Sequence, residues 1–165
     1  MQDKKTLTNH VFHYGTEELE IVYSYKYLGT IFDEHHTFDE CAKTLAKAAS
    51  RKLGHLFVMN RKLEGLGYKT YTRLYESRID PIALYASAIW GVKNFKHQNA
   101  VQNRAIRLFL GVSKFTANLA IQGDMGWPSV DRKVKVSIIR FWNRLNELPN
   151  SRLTKKIFMN VHIID

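Results

Sequence analysis

The chain has 165 residues, 45% of them hydrophobic and 24% charged, which fits one folded domain and excludes a disordered polymer. Its formal net charge is +10, and the imbalance is uneven: three basic and eight acidic residues over 1–40, then 22 basic and seven acidic over 41–165. A single cysteine, Cys41, excludes an internal disulfide framework and a multi-cysteine zinc site.

Period-2 alternation opens the chain. Leu19, Ile21, Tyr23 and Tyr25 are apolar, while Glu18, Glu20, Ser24 and Lys26 are polar, the pattern of a half-buried strand. The turn Gly15-Thr16-Glu17 joins this strand to the apolar run Val11–Tyr14, predicting one β-hairpin of Val11–Tyr14 with Leu19–Tyr27. Gly29 interrupts the second strand, where a glycine marks a bulge or a close approach of backbone.

The period then changes to that of a helix. Thr37-Phe38-Asp39-Glu40 matches a capping box, and acidic residues in a first turn complement the helix dipole. Behind it Cys41, Leu45, Ala48, Ala49, Leu53, Leu56 and Phe57 form an apolar stripe. Lys43, Lys47 and Arg51, four residues apart, share another face and repel one another by about a few tenths of a kcal/mol per pair. A second stripe runs from Tyr71 to Ile89 and is kinked or restarted at Pro81. Asn94 is placed to cap a third helix through Phe109, closed by Gly111, and Thr116 to open a short turn. Ser129 caps a fourth long helix with Val134, Ile138, Phe141, Trp142, Leu145 and Leu148 on its apolar face. Pro149 ends that helix, and Ser151 begins a final segment. The expected fold is mainly α with a small β part: an N-terminal hairpin over 1–36, then an antiparallel bundle of four or five helices over 37–165.

Catalytic signatures are missing. The sequence contains no phosphate-binding glycine loop, no HExxH and no GxSxG. Asp33, Glu34, His35, His36, Asp39, Glu40 and Cys41 cluster without the spacing of a metal site, and a helix start accounts for the acids, so no metal or other cofactor is expected. The longest apolar run, 81–92, is shorter than the about 20 residues that span a bilayer. The polar start carries no signal core, so a soluble intracellular protein with no membrane partner is expected.

Four segments carry a resemblance. Tyr25-Lys26-Tyr27-Leu28-Gly29-Thr30-Ile31-Phe32 resembles the primer-grip segment F-K-Y-L-G-x-x-[FIL] of reverse transcriptases from non-LTR (LINE-type) retrotransposons. Leu74-Tyr75 with Ile79-Asp80-Pro81, Tyr85 and Trp90 is similar to the family's next helix, and Gln102-Asn103-Arg104-Ala105-Ile106-Arg107 with Gly111 to the following stretch. Gly126-Trp127-Pro128 resembles its G-x-x-P loop, with Ser129 where leucine is frequent. The order and spacing match over nearly the whole chain. Departing from the family, the chain lacks the aromatic-Ala-Asp-Asp box that holds catalytic metal ions, and its lead-in Lys5-Thr6 to Phe12 is off by one residue.

The resemblance implies the primer grip, thumb and following helices of an RNA-directed DNA polymerase without fingers or palm, either a truncated remnant or a piece expressed alone. A non-catalytic fragment holding template-primer backbone, RNA or DNA, is therefore expected, with the missing fingers and palm as a further partner. Thumb helices grip backbone through basic faces. Lys43, Lys47 and Arg51 supply one such face, and Arg132, Lys133, Arg140 and Arg144 another. Tyr27, Leu28 and Gly29 would meet the primer end; with no family in view, core packing beneath the first helix is the preferred explanation of Tyr27 and Leu28. The alternative is a helical protein-interaction module derived from a retroelement, since aromatics also populate protein interfaces.

Overall fold

A computed structural model describes residues 11–91 and 95–161, and divides them after Cys41 into two compact units. Lys5-Thr6, Asn94 as a cap, and the histidines at 10 and 162 lie outside the described residues.

The first unit holds two successive antiparallel hairpins where the alternation predicts one. β1 (Phe12–Tyr14) pairs with β2 (Glu17–Leu19), and β3 (Ser24–Tyr27) pairs with β4 (Thr30–Asp33). Tyr27 stands opposite Thr30, so Leu28 and Gly29 are the two turn residues, at φ of +47° and +84°. Left-handed residues at both positions are what a tight two-residue hairpin turn requires. Gly29 thus reverses the chain; it does not mark a bulge, and the strand expected to run from Leu19 to Tyr27 breaks between β2 and β3.

The capping box is also corrected. The Asp33 carboxylate accepts hydrogen bonds from the backbone N–H groups of His35, Thr37 and Phe38 and from the Thr37 hydroxyl, at 2.8–3.2 Å. Burial alone would raise its pKa, but these four donors hold the carboxyl below its ordinary value. The Thr37 hydroxyl donates to the end of β4, and Phe38 lies at φ +56°, outside helical backbone, so α1 (Asp39–Lys62) starts two residues after Thr37 with Asp39 and Glu40 in its first turn.

The second unit is helical. After α1 come α2 (Tyr68–Arg78), the one-turn α3 (Asp80–Ala83) and α4 (Ser87–Trp90), then α5 (Lys96–Leu110), α6 (Asn118–Met125), α7 (Val130–Glu147) and α8 (Leu153–Val161). Pro81 sits in the first turn of α3, where its missing N–H costs nothing, so it restarts the helix. Gly111 and Gly126 close α5 and α6 in the left-handed conformation, at φ of +67° and +65°. The Ser129 hydroxyl accepts from the Arg132 N–H at 3.3 Å and caps α7 as the sequence predicts.

α1 buries Ala42, Ala46, Ala49, Leu53 and Leu56, whose spacing of four and three keeps them on one face. On α7 the N-terminal Val130 and Val134 are buried, but Phe141 and Trp142 are 39% and 52% exposed. The predicted apolar face of α7 therefore enters the core only at its start.

The core centres on aromatic rings. Tyr75 stacks on Trp127 with ring centroids 4.4 Å apart, and Tyr71 lies against Phe109 at 4.8 Å. Each polar tip is satisfied: Tyr71 donates to the Ala105 carbonyl at 2.8 Å, and the Trp127 indole N–H to the Thr72 hydroxyl at 3.1 Å. Burial pushes the Tyr71 hydroxyl pKa up to about 12 and that of Tyr75 higher still.

Against this stack Lys133 departs from its expected role. Its Nζ lies 2.6 Å from Asp80 Oδ2 and 5.3 Å and 5.8 Å from the ring centroids of Tyr75 and Trp127, with 15% of its side chain exposed. Lys133 is one position round α7 from exposed Arg132 and faces inward. It ties α7 to the start of α3.

The close packing of α4 on α7 can be tested at Gly91. A Cβ there would overlap the Ser87 carbonyl oxygen and Val134 Cγ1, because the two helices meet at this point. Gly91→Ala is expected to cost about 1–3 kcal/mol, seen as a lower urea midpoint at unchanged slope. Adding Val134→Ala should not restore the parent midpoint, since the carbonyl overlap remains; a G91A midpoint equal to the parent's would refute the close approach.

Lys133→Met keeps the aliphatic stem but leaves Asp80 as an uncompensated, largely buried carboxylate, expected to cost about 3 kcal/mol at neutral pH. Burial already raises the Asp80 pKa against the pull of Lys133, and losing that pull raises it further. The folded variant then takes up a proton at higher pH than the unfolded chain, so its penalty is full at neutral pH and fades as pH falls through that raised value. Urea midpoints of variant and parent should converge between pH 7.5 and 4.5; a constant gap would show that the pair is not the source.

Candidate nucleic-acid interface

Between Glu40 and Glu64 the chain carries no acid and six Lys or Arg residues. Helical periodicity sorts these cations relative to the buried alanine–leucine stripe. Lys43, Lys47 and Arg51 recur every four residues, each about 6 Å further along the axis, and all three are exposed. They form a ladder of charge along one flank of α1.

α5 supplies the facing wall. Gln98, Val101, Gln102 and Ala105 of α5 are buried, and the Gln98 side-chain amide donates to the Ala42 carbonyl at 3.0 Å, fixing the start of α5 beside the start of α1. Between them runs an open groove of about 560 Å³. Lys43, Lys47 and Arg51 line one side and His97 and Arg104 the other, over a floor that includes Ala46 and Val101. Among the described lining residues none is acidic. Alanines at 46 and 100 keep the floor shallow, so an extended polyanion can approach the cations on both walls. The sequence reading misses His97 and Arg104; the signal was available, because Arg104 sits next to buried Asn103 and Ala105 on α5 and had to point along the helix edge.

The second expected set is not one surface. Arg132, Arg140 and Arg144 are exposed on α7, within about a third of its circumference. Lys133 is committed to Asp80, as described above. The hairpin turn belongs to the first unit: Tyr27 and Leu28 are 57% and 74% exposed at its tip, so neither is a core residue. Asp33 is occupied by hydrogen bonds, and among the described residues no three His, Cys, Asp or Glu side chains converge as a metal ion would need.

Three of the four segments that carry the family resemblance come together elsewhere in the helical unit. Tyr75 of α2, Gln102 of α5 and Trp127 ahead of α7 are buried, with Asp80 beside them; the Gln102 amide donates to the Pro128 carbonyl at 3.0 Å and Trp127 stacks on Tyr75. These helical motif residues pack. Lys43, Lys47 and Arg51 of the candidate interface lie outside the motifs, while Arg104 lies within the stretch led by Gln102.

No family model and no solved structure matches the chain. Curated proteins do. The RNA-directed DNA polymerase from mobile element jockey of Drosophila melanogaster is 26% identical over 137 residues, 80% of this chain. The probable RNA-directed DNA polymerase from transposon BS of the same species is 25% identical over 124 residues, 73% of this chain. That from transposon X-element is 23% identical over 128 residues, or 76%. The chain spans only 14–15% of the length of these relatives. Over about three quarters of its residues, then, the chain is similar to the RNA-directed DNA polymerases of Drosophila non-LTR retrotransposons.

Proposed function

We propose that this chain is a thumb-like, non-catalytic segment that holds the sugar-phosphate backbone of a template-primer duplex in the groove between α1 and α5. The observation that carries the reading is the set of cations on the two groove walls, Lys43, Lys47, Arg51 and Arg104, with no acid among the described lining residues. A backbone grip needs charge at regular intervals and no hydrogen-bonding code for base edges. The ladder on α1 supplies the first, and no bidentate amide or carboxylate in the groove supplies the second. The relatives' activity, RNA-directed DNA polymerisation, supports this choice of substrate class.

The exposed tip Tyr27-Leu28-Gly29 fits the primer-grip role that its sequence resembles, with a glycine where backbone must come close. Arg132, Arg140 and Arg144 form a secondary basic strip for flanking backbone. Phosphoryl transfer needs carboxylates holding metal ions a few ångströms apart, and this segment brings no such pair.

Changing Lys43, Lys47 and Arg51 together to glutamine should weaken duplex binding on the order of tenfold at moderate salt, with little change in sequence preference. The slope of log affinity against log salt should flatten by about one unit for each phosphate that is no longer neutralised. Stability should stay within about 0.5 kcal/mol of the parent, because all three side chains are exposed. Unchanged affinity and slope would remove the groove from consideration. The 165-residue polypeptide should also give no template-dependent nucleotide incorporation with any divalent metal; incorporation above a mock-purified control would refute the non-catalytic reading.

A further inference from the structure

The C-terminal half of α1 has a different chemistry. There two adjoining hollows of about 480 and 560 Å³ share His55 and Met59. Leu56 and the half-buried Met59 form the floor and pack into the core, while Val58 and Leu63 stand 51% and 58% exposed along the edge. Lys52, Lys62 and, from the last turn of α2, Arg78 ring the apolar surface. Among the described lining residues there is again no acid.

We propose that this surface docks an acidic amphipathic helix of a partner protein. From Lys52 to Leu63 the trough follows α1 for about 16 Å, or three turns, which matches a helix presenting apolar anchors at i, i+3 or i+4, and i+7. The anchors fill the Leu56–Met59 floor, and carboxylates on the flanking positions reach Lys52, Lys62 and Arg78. Charge complementarity fixes the sign of the partner, because three permanent cations surround the apolar strip with no acid lining it to balance them. The apolar strip fixes its class. A sugar-phosphate backbone has no apolar face with which to cover Val58, Met59 and Leu63, whereas an amphipathic helix has one. The α1–α5 groove shows the reverse: cations on both walls over a shallow floor.

The probe is a fluorescein-labelled synthetic peptide of about 18 residues, helical, with leucines at the anchor positions and glutamates elsewhere. A peptide of the same composition with the leucines spread round the helix is the control. Anisotropy titration should show saturable binding of the amphipathic peptide, at least about tenfold tighter than the control. Val58→Glu with Leu63→Glu should abolish that preference, and both sites are exposed enough for the variant to fold. Lys52→Gln, Lys62→Gln and Arg78→Gln together, which leave the apolar strip intact, should weaken binding and flatten its salt dependence. Lys43→Gln, Lys47→Gln and Arg51→Gln should leave it within about twofold, since they precede the trough along α1 and do not line it. Duplex binding measured on the same preparations should show the opposite pattern, so failure of one reading is distinguishable from failure of the other. Equal binding of the control peptide, or binding indifferent to both the V58E/L63E and the K52Q/K62Q/R78Q variants, overturns the proposal. So does tighter binding to anionic phospholipid vesicles than to the peptide, which would make the partner a membrane surface.

Discussion

The stacking of Tyr75 on Trp127, with Lys133 above both rings and paired to Asp80, is the interaction on which the helical unit depends. It joins α2, the start of α3, the loop ahead of α7 and the first turn of α7. Two largely buried charges would be costly in an apolar core if either stood alone. Here the ion pair satisfies the carboxylate, and the ring faces favour the ammonium that remains. Because Asp80 begins a new helix at Pro81, the kink in the chain and the placement of the charge arise from the same two residues.

This arrangement also explains what the family-like segments encode. The leucine–tyrosine pair, the Asp-Pro dipeptide, the glutamine-led stretch and the Gly-Trp-Pro loop are distant in sequence yet meet around one tryptophan. Gln102 donates to the Pro128 carbonyl, and Tyr68 to that of Met125, so the loop's backbone is held from α5 and from α2. Tyr71 and Trp127 each combine ring packing with a hydrogen bond from the polar tip, so both the ring and its partner fix the position.

Much of this was legible in the residue pattern, and the failures have definite causes. Helical stripes, the restart at Pro81, the Ser129 cap and the glycine stops all rest on local rules, and the local rule prevailed. Alternation alone does not separate one long strand from two short ones, because Ile21 and Tyr23, in the break between β2 and β3, continue the alternation of Leu19 and Tyr25. Thr37-x-x-Glu40 reads as a capping box only if Phe38 is helical; Asp33 instead holds the Thr37 and Phe38 N–H groups, and Phe38 stands at φ +56°. Lys133 looked like one more cation among arginines. Its inward position depends on Asp80, 53 residues away, and no local pattern reports such a partner.

α1 joins these levels. Its stripe of alanines and leucines buries a narrow face, and beside Ala46 the groove sets Arg104 across from Lys47 and Arg51. Further along α1, Leu56 and Met59 floor the apolar trough. One helix thereby presents charge where its core residues are small and apolar surface where they are large. A helix with six cations and no acid after its first turn is electrostatically strained in isolation, and a uniform cationic coat would meet the needs of solubility alone. Segregating the same charge into a ladder in one half and a rim round an apolar strip in the other creates two surfaces of distinct chemistry. The placement of the six cations along α1, more than the net charge, sets the chemistry of each surface.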